Sequence, residues 1–218
     1  MSPTLSLDLR RQRDDLDERL RRIRGLPLNY DPADAGGAGW HRDDYRQVLP
    51  RERPGEPETG GSWRIACELS RAYAFSDPSL VEAHFDEDVP LADREMLLVL
   101  HAVGLRLDVG VRVAEVHDEV AELDGRGVKL FAWCYRTLEG HVEAGQRDFE
   151  VWKRLDTGEV EFRTHSHSRP AATNPIILAG FRLLGRHKQA EFGRRACERM
   201  ATLTAAAVAA SAGAASSD

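Results

Sequence analysis

The sequence predicts an α+β domain: an antiparallel sheet closed by a long C-terminal helix and preceded by an N-terminal helical and loop extension. Three observations lead there. Apolar residues alternate with polar ones in consecutive stretches joined by short turns, with no helices between them, which signals an antiparallel meander. After Arg169-Pro170 the period changes, and Ile176, Ile177, Phe181, Leu184, Phe192, Ala196 and Met200 recur at helical spacing. A chain of 218 residues suits one domain with extensions.

The elements follow in order. Residues 5–24 carry dense charge, with Leu9, Leu16, Leu20 and Ile23 at helical spacing, so a short charged helix with a thin docking stripe is expected. Residues 25–62 are rich in Pro, Gly and Asp and read as an extended loop, partly ordered by Tyr30, Trp40 and Tyr45. Trp63, Ile65, Cys67, Leu69, Tyr73 and Phe75 then alternate with smaller or charged residues, the pattern of a half-buried strand. Asp77-Pro78 starts a turn or a short helix through His84. Met96 to Val103 suits a buried strand, and Leu105 to Ala114 alternates. Asp124-Gly125 supplies a hairpin turn, with strands over Val128–Leu138, Phe149–Leu155 and from Val160 onward, the last two joined at Asp156-Thr157-Gly158. The helix after Pro170 runs as one element or as two joined near Gly185, and its apolar face must cover the sheet. Residues 1–60 therefore read as an extension dispensable for the sheet, 61–205 as the domain and 206–218 as a disordered Ala/Ser-rich tail.

Composition narrows the function classes. The net charge of −6 argues against a nucleic-acid partner, which usually needs a basic face. Cys67, Cys134 and Cys197 are dispersed and odd in number, a poor framework for disulfides or zinc, and suit reduced thiols in the cytoplasm. No apolar run is long enough to span a bilayer, and the first residues lack a signal-peptide pattern. No phosphate loop, dinucleotide fingerprint, nucleophile elbow or HExxH motif is present, so no cofactor is expected.

Two adjoining motifs carry a family resemblance. Tyr135-Arg136-Thr137-Leu138-Glu139-Gly140-His141-Val142-Glu143-Ala144-Gly145 is followed by Phe149, then by Val160-Glu161-Phe162, the run His165-Ser166-His167-Ser168-Arg169-Pro170, and a closing helix with Gln189. Over roughly residues 62–200 this resembles the DUF1990 (UPF0548) family, with Arg136 where the family tends to have glycine and Gln146 where an acid is usual. That family is similar to the helix-grip (START/Bet v 1-like) proteins. The resemblance implies a curved sheet wrapped on the C-terminal helix with a cavity between, and no established reaction or ligand.

Candidate chemistry falls into four groups. His165 and His167 share a strand face with Glu161 and Arg163, the spacing of a metal chelate; the alternative is an outward-pointing pair, because Val160, Phe162, Thr164 and Ser166 form the apolar face. No metal site is expected. His141, with Glu143 and Tyr135, suits proton transfer beside a turn at Gly140; the alternative is a histidine that hydrogen-bonds loop backbone. Phe131, Trp133, Tyr135 and Thr137 share a face that either packs as core or lines a cavity. Lys153, on an inward face with Phe149, Val151 and Leu155, is either a buried base or nucleophile or a lysine that reaches water.

Two readings follow. The first is a module that binds an apolar or amphipathic small molecule, with Trp133, Tyr135, Thr137, Lys153, Thr164, Ser166, His165, His167 and Arg169 as ligand-binding candidates. The second is a cyclase, isomerase or dehydratase on the same fold, with His141, Tyr135 and Glu143 as catalytic candidates. A homo-oligomer is compatible with both.

Overall fold

A computed structural model describes residues 15–102, 105–171 and 186–215. Seven strands form one antiparallel sheet: β1 His41–Leu49, β2 Val81–His84, β3 Glu95–Ala102, β4 Leu105–Leu123, β5 Arg126–Thr137, β6 Glu143–Arg154 and β7 Val160–Pro170. Their spatial order is β1-β7-β6-β5-β4-β3-β2, so the meander from β2 to β7 is closed by the first strand, which returns to pair with the last. Among the described residues three α-helices accompany the curved sheet: α1 over residues 15–23, α2 over Ser62–Arg71 and the long α3 over Arg186–Ala215. This is the α+β helix-grip architecture that the sequence predicts, with α2 and α3 packed together on the concave face.

The turns behave as their residues dictate. Asp124 and Gly125 both take positive φ, 51° and 73°, as a two-residue hairpin turn of the primed type requires. At Gly158, φ is +73° and an added Cβ would run into the Glu52 carbonyl. The glycine thus lets the β6–β7 turn press against the chain that follows β1, where Glu52 N–H donates to the Gly158 carbonyl at 2.9 Å.

Five expectations need correction. Residues 62–71 form helix α2, not a strand. Ser62, Trp63, Ala66, Cys67 and Ser70 are its buried residues, spaced as one helical face. The apparent alternation of Trp63, Ile65, Cys67 and Leu69 hid that face because Ala66 and Ser70, small but buried, read as outward positions. The segment 25–62 is not all loop: His41–Leu49 forms β1, and its charged outer residues masked the inner series Asp43, Tyr45, Gln47 and Leu49. Val81–His84 is a short edge strand where a turn or helix was expected. Strand β4 continues past Ala114 to Leu123, through a bulge between Val113 and Glu115, and α3 stays helical to Ala215, beyond the expected tail boundary at 206. Ile176, Ile177, Phe181 and Leu184 lie outside the described residues.

The core lies between the concave sheet face and the two helices. Tyr73, Phe75, Trp133, Tyr135, Phe149 and Phe162 form a connected aromatic cluster, in which Trp133 and Phe149 centroids lie 4.7 Å apart and Phe75 and Phe149 4.8 Å apart. Tyr73 takes φ 55°, the left-handed conformation that turns the chain sharply after α2 and aims its ring into the sheet. Phe192, Ala196, Cys197 and Met200 of α3 close the layer. On the opposite sheet face, α1 docks through the buried Ile23 against Gly110, and Arg19 makes a two-pronged ion pair with Asp108 at 2.7 Å.

Candidate functional site

Strand parity sorts the candidates between the two faces. On β7, Phe162, Thr164, Ser166 and Ser168 are buried on the concave side, while Arg163, His165 and His167 point to the convex side. The histidine pair therefore stands outside the sheet–helix interface. His165 Nε2 lies 3.5 Å from Asp148 Oδ2, and His167 Nε2 accepts a hydrogen bond from Arg42 Nε at 2.7 Å, which occupies the lone pair a metal would need. Burial lowers the His167 pKa, with the Arg42 charge acting in the same direction. Among the described residues no group of three or more His, Cys, Asp or Glu side chains converges as metal ligands would. Arg169 stacks over Trp40 at 5.0 Å on the same outer side.

On the concave face the register builds three successive rows across β5, β6 and β7. Trp133, Phe149 and Thr164 form the first. Tyr135, Arg147 and Ser166 form the second. Thr137, Gly145 and Ser168 form the third, with Thr137 Oγ1 accepting from Gly145 N–H at 2.9 Å. Gly145 is required there because an added Cβ would collide with the His167 carbonyl. The rows pass from aromatic to polar along the strands, so the interface is apolar at its centre and hydrophilic at one end.

Trp133 is core: its indole N–H donates to Ser70 Oγ at 2.9 Å and joins α2 to the sheet. Thr137 is held by loop contacts, its hydroxyl donating to Asn29 Oδ1 at 2.7 Å. The His141 ring is buried, and Nδ1 accepts the Glu143 backbone N–H at 2.9 Å. Burial pushes its pKa down to about 4, so the ring is neutral at neutral pH and fixes the turn. Glu143 accepts a hydrogen bond from Gln189 of α3, which also donates to Ser168 Oγ at 3.0 Å. That link ties the third row to the helix. Tyr135 is buried beside Tyr73, their centroids 6.4 Å apart; burial raises its pKa while the neighbouring Arg147 charge opposes the rise.

Lys153 does not reach water. It is fully buried, and its Nζ donates to Glu52 Oε2 at 2.6 Å and to the Glu56 carbonyl at 2.9 Å. Glu52 in turn accepts Trp63 N–H at 2.6 Å, so one carboxylate neutralises the lysine and caps the start of α2. The pair ties the chain after β1 to β6.

Two residues of the interface escaped the sequence reading. Glu52 lay in the supposed loop. Arg147 lay two residues before the expected start of a strand at Phe149, yet the parity of Phe149, Val151 and Lys153 extends inward to it. Arg147 is 7% exposed, its guanidinium packs 5.0 Å over the Phe192 ring, and its Nη1 has no hydrogen-bond partner among the described residues. Thr164 Oγ1 and Ser166 Oγ on the same face are likewise unpartnered among the described residues. Two surface concavities, one bordered by Leu123, Trp152 and Arg163 and one by Asp44, Arg46 and Arg163, lie on the convex side and meet none of these groups.

Comparison with known proteins bears on the fold. The crystal structure of TTHA0849 from Thermus thermophilus is similar with a TM-score of 0.51 at 13% identity, covering 77% of this chain and 99% of that one. A norcoclaurine synthase point mutant from Thalictrum flavum, in complex with a transition-state analogue, aligns with a TM-score of 0.43 at 7% identity, over 76% of this chain and 94% of that one. Ginseng major latex-like protein 151 from Panax ginseng aligns at 0.39 and 12%, over 71% and 99%. Among curated proteins none matches the sequence. The family model for a domain of unknown function, DUF1990, matches residues 29–199, from just before β1 into α3 and across both sequence motifs, and the chain therefore belongs to the DUF1990 family.

Proposed function

We propose that this protein binds an apolar or amphipathic small molecule between the concave face of the sheet and α3. The observation that carries the reading is a set of unsatisfied polar atoms on that face. Arg147 Nη1, Thr164 Oγ1 and Ser166 Oγ are buried there without hydrogen-bond partners among the described residues, next to the aromatic cluster. Buried polar groups in folded proteins are nearly always satisfied, and a ligand is one agent that satisfies them. A few fixed polar groups beside an apolar wall are also the usual make-up of a small-molecule site.

A catalytic role for His141 finds less support. Its Nδ1 is engaged by the Glu143 backbone, and its lowered pKa leaves the ring uncharged at neutral pH and so a poor general acid. The test is a thermal-shift screen of fatty acids and aromatic compounds, with native mass spectrometry of freshly purified protein. Ligand bound only to the folded state contributes about 2.7 kcal/mol when free ligand is a hundred times its dissociation constant, so hits should raise Tm by several degrees. Absence of any co-purified molecule together with an empty screen would end the reading.

A further inference from the structure

Resting on that binding reading, we propose that Arg147 is the anchor for the carboxylate of a monoanionic amphipathic ligand. The arginine projects from β6 into the sheet–helix interface, flanked across the strands by Tyr135 and Ser166 and faced from α3 by Phe192. No carboxylate among the described residues forms an ion pair with it. A guanidinium cannot shed its charge at any ordinary pH, so burial without a counter-charge is costly. Stacking on Phe192 offsets only part of that cost. A carboxylate matches the guanidinium in shape as well as in charge, accepting two parallel N–H bonds.

Asp43 and Glu143 sit on the same concave side, so a head group with a second negative charge would meet more repulsion there than a monoanionic one. The body of the ligand is set by the neighbours. Tyr73, Tyr135 and Phe192 offer ring faces, and the Ser166 hydroxyl offers one further polar contact beside the head group.

The test uses the full chain and matched probe pairs: dodecanoate against methyl dodecanoate, and 2-naphthylacetate against its methyl ester, with dodecyl phosphate as the dianionic arm. Dissociation constants are read by titration calorimetry at neutral pH. The acids should bind about tenfold or more tighter than their esters, the strength expected of a hydrogen bond to a charged group. Arg147→Met should abolish that preference, weakening the acids about tenfold more than the esters, and Arg147→Lys should retain part of it, since lysine keeps the charge but not the fork. Equal binding of acid and ester by the native protein, or an acid preference that survives Arg147→Met, overturns the assignment and leaves the binding reading intact. Tighter binding of dodecyl phosphate than of dodecanoate overturns the monoanion. Failure of all five probes to bind removes the binding reading and this inference together. Loss of the folded circular-dichroism spectrum in both Arg147 variants would make the arginine a core element and also overturn it.

Discussion

Strand β6 carries two buried cations on the same face, six residues apart, and they are treated in opposite ways. Lys153 is fully enclosed and is met by Glu52, by the Glu56 carbonyl and by the segment that starts α2. Arg147 is nearly as deep and meets a ring, two tyrosines and a serine, with no acid among the described residues. The matched charge closes one end of the interface as a clamp. The unmatched charge, with Arg147 Nη1 unpartnered among the described residues, is where the proposed ligand anchor rests. The difference lies in the partners, not in the strand that presents the two residues.

The largest effect expected from breaking this contrast comes from removing residues 1–60. That deletion takes away β1, the edge strand on β7, together with Glu52, the counter-charge of Lys153. A chain starting at Gly61 should lose cooperative thermal unfolding; a sharp transition by circular dichroism would show that the meander and α3 suffice. Next in size is Glu52→Gln, which strands a buried lysine and weakens the cap on α2. Breaking a buried pair from one side costs about 3–5 kcal/mol, read as a fall in the urea midpoint. The double variant Glu52→Gln with Lys153→Met should recover part of that loss, and no recovery would mean that the cap, not the charge pair, is what matters.

A third expectation concerns pH and His141. Its pKa in the folded protein is about 4, below the 6.5 of an exposed histidine. Between those values the unfolded chain takes up a proton that the folded chain refuses. Stability is therefore full above about pH 6.5 and declines as pH falls toward 4, by about 3 kcal/mol from this group. Urea midpoints at pH 7 and pH 4.5 should show the decline, and His141→Gln should flatten it; an equal slope in both proteins would assign the acid sensitivity elsewhere. The smallest effect is expected at the unmatched cation. Arg147→Met should change stability by no more than about 1 kcal/mol, and in either direction, because replacing a buried charge by an apolar side chain of similar length removes a desolvation penalty along with the packing. A loss comparable to that of Glu52→Gln would erase the contrast between the two cations.

Much of the sheet was legible because period-two alternation is a local property. The turns at Asp124-Gly125, at Gly140 and at residues 156–158 were legible because their residue types select the backbone conformation. The outward histidine pair and the inward Thr164 and Ser166 follow from parity alone. Helix α2 was not legible, because small buried residues such as Ala66 and Ser70 carry little hydrophobic signal and let a helical face pass for a strand. Strand β1 was hidden by Arg42, Asp44 and Arg46 on the solvent side of an edge.

What the sequence determined by itself was the type of most elements, their turns, the family motifs and the face on which each strand residue falls. What only the tertiary structure decided was which charges meet. Lys153 and Glu52 are 101 residues apart in the chain, and nothing local to either predicts the 2.6 Å contact between them. Arg147 and Lys153 look alike in sequence, two cations on one alternating strand. They differ because the chain after β1 delivers Glu52 to Lys153, whereas among the described residues no carboxylate comes within ion-pair distance of Arg147, although Asp43 and Glu143 share its face. Pairing of buried charges depends on long-range topology, and periodicity carries no information about it.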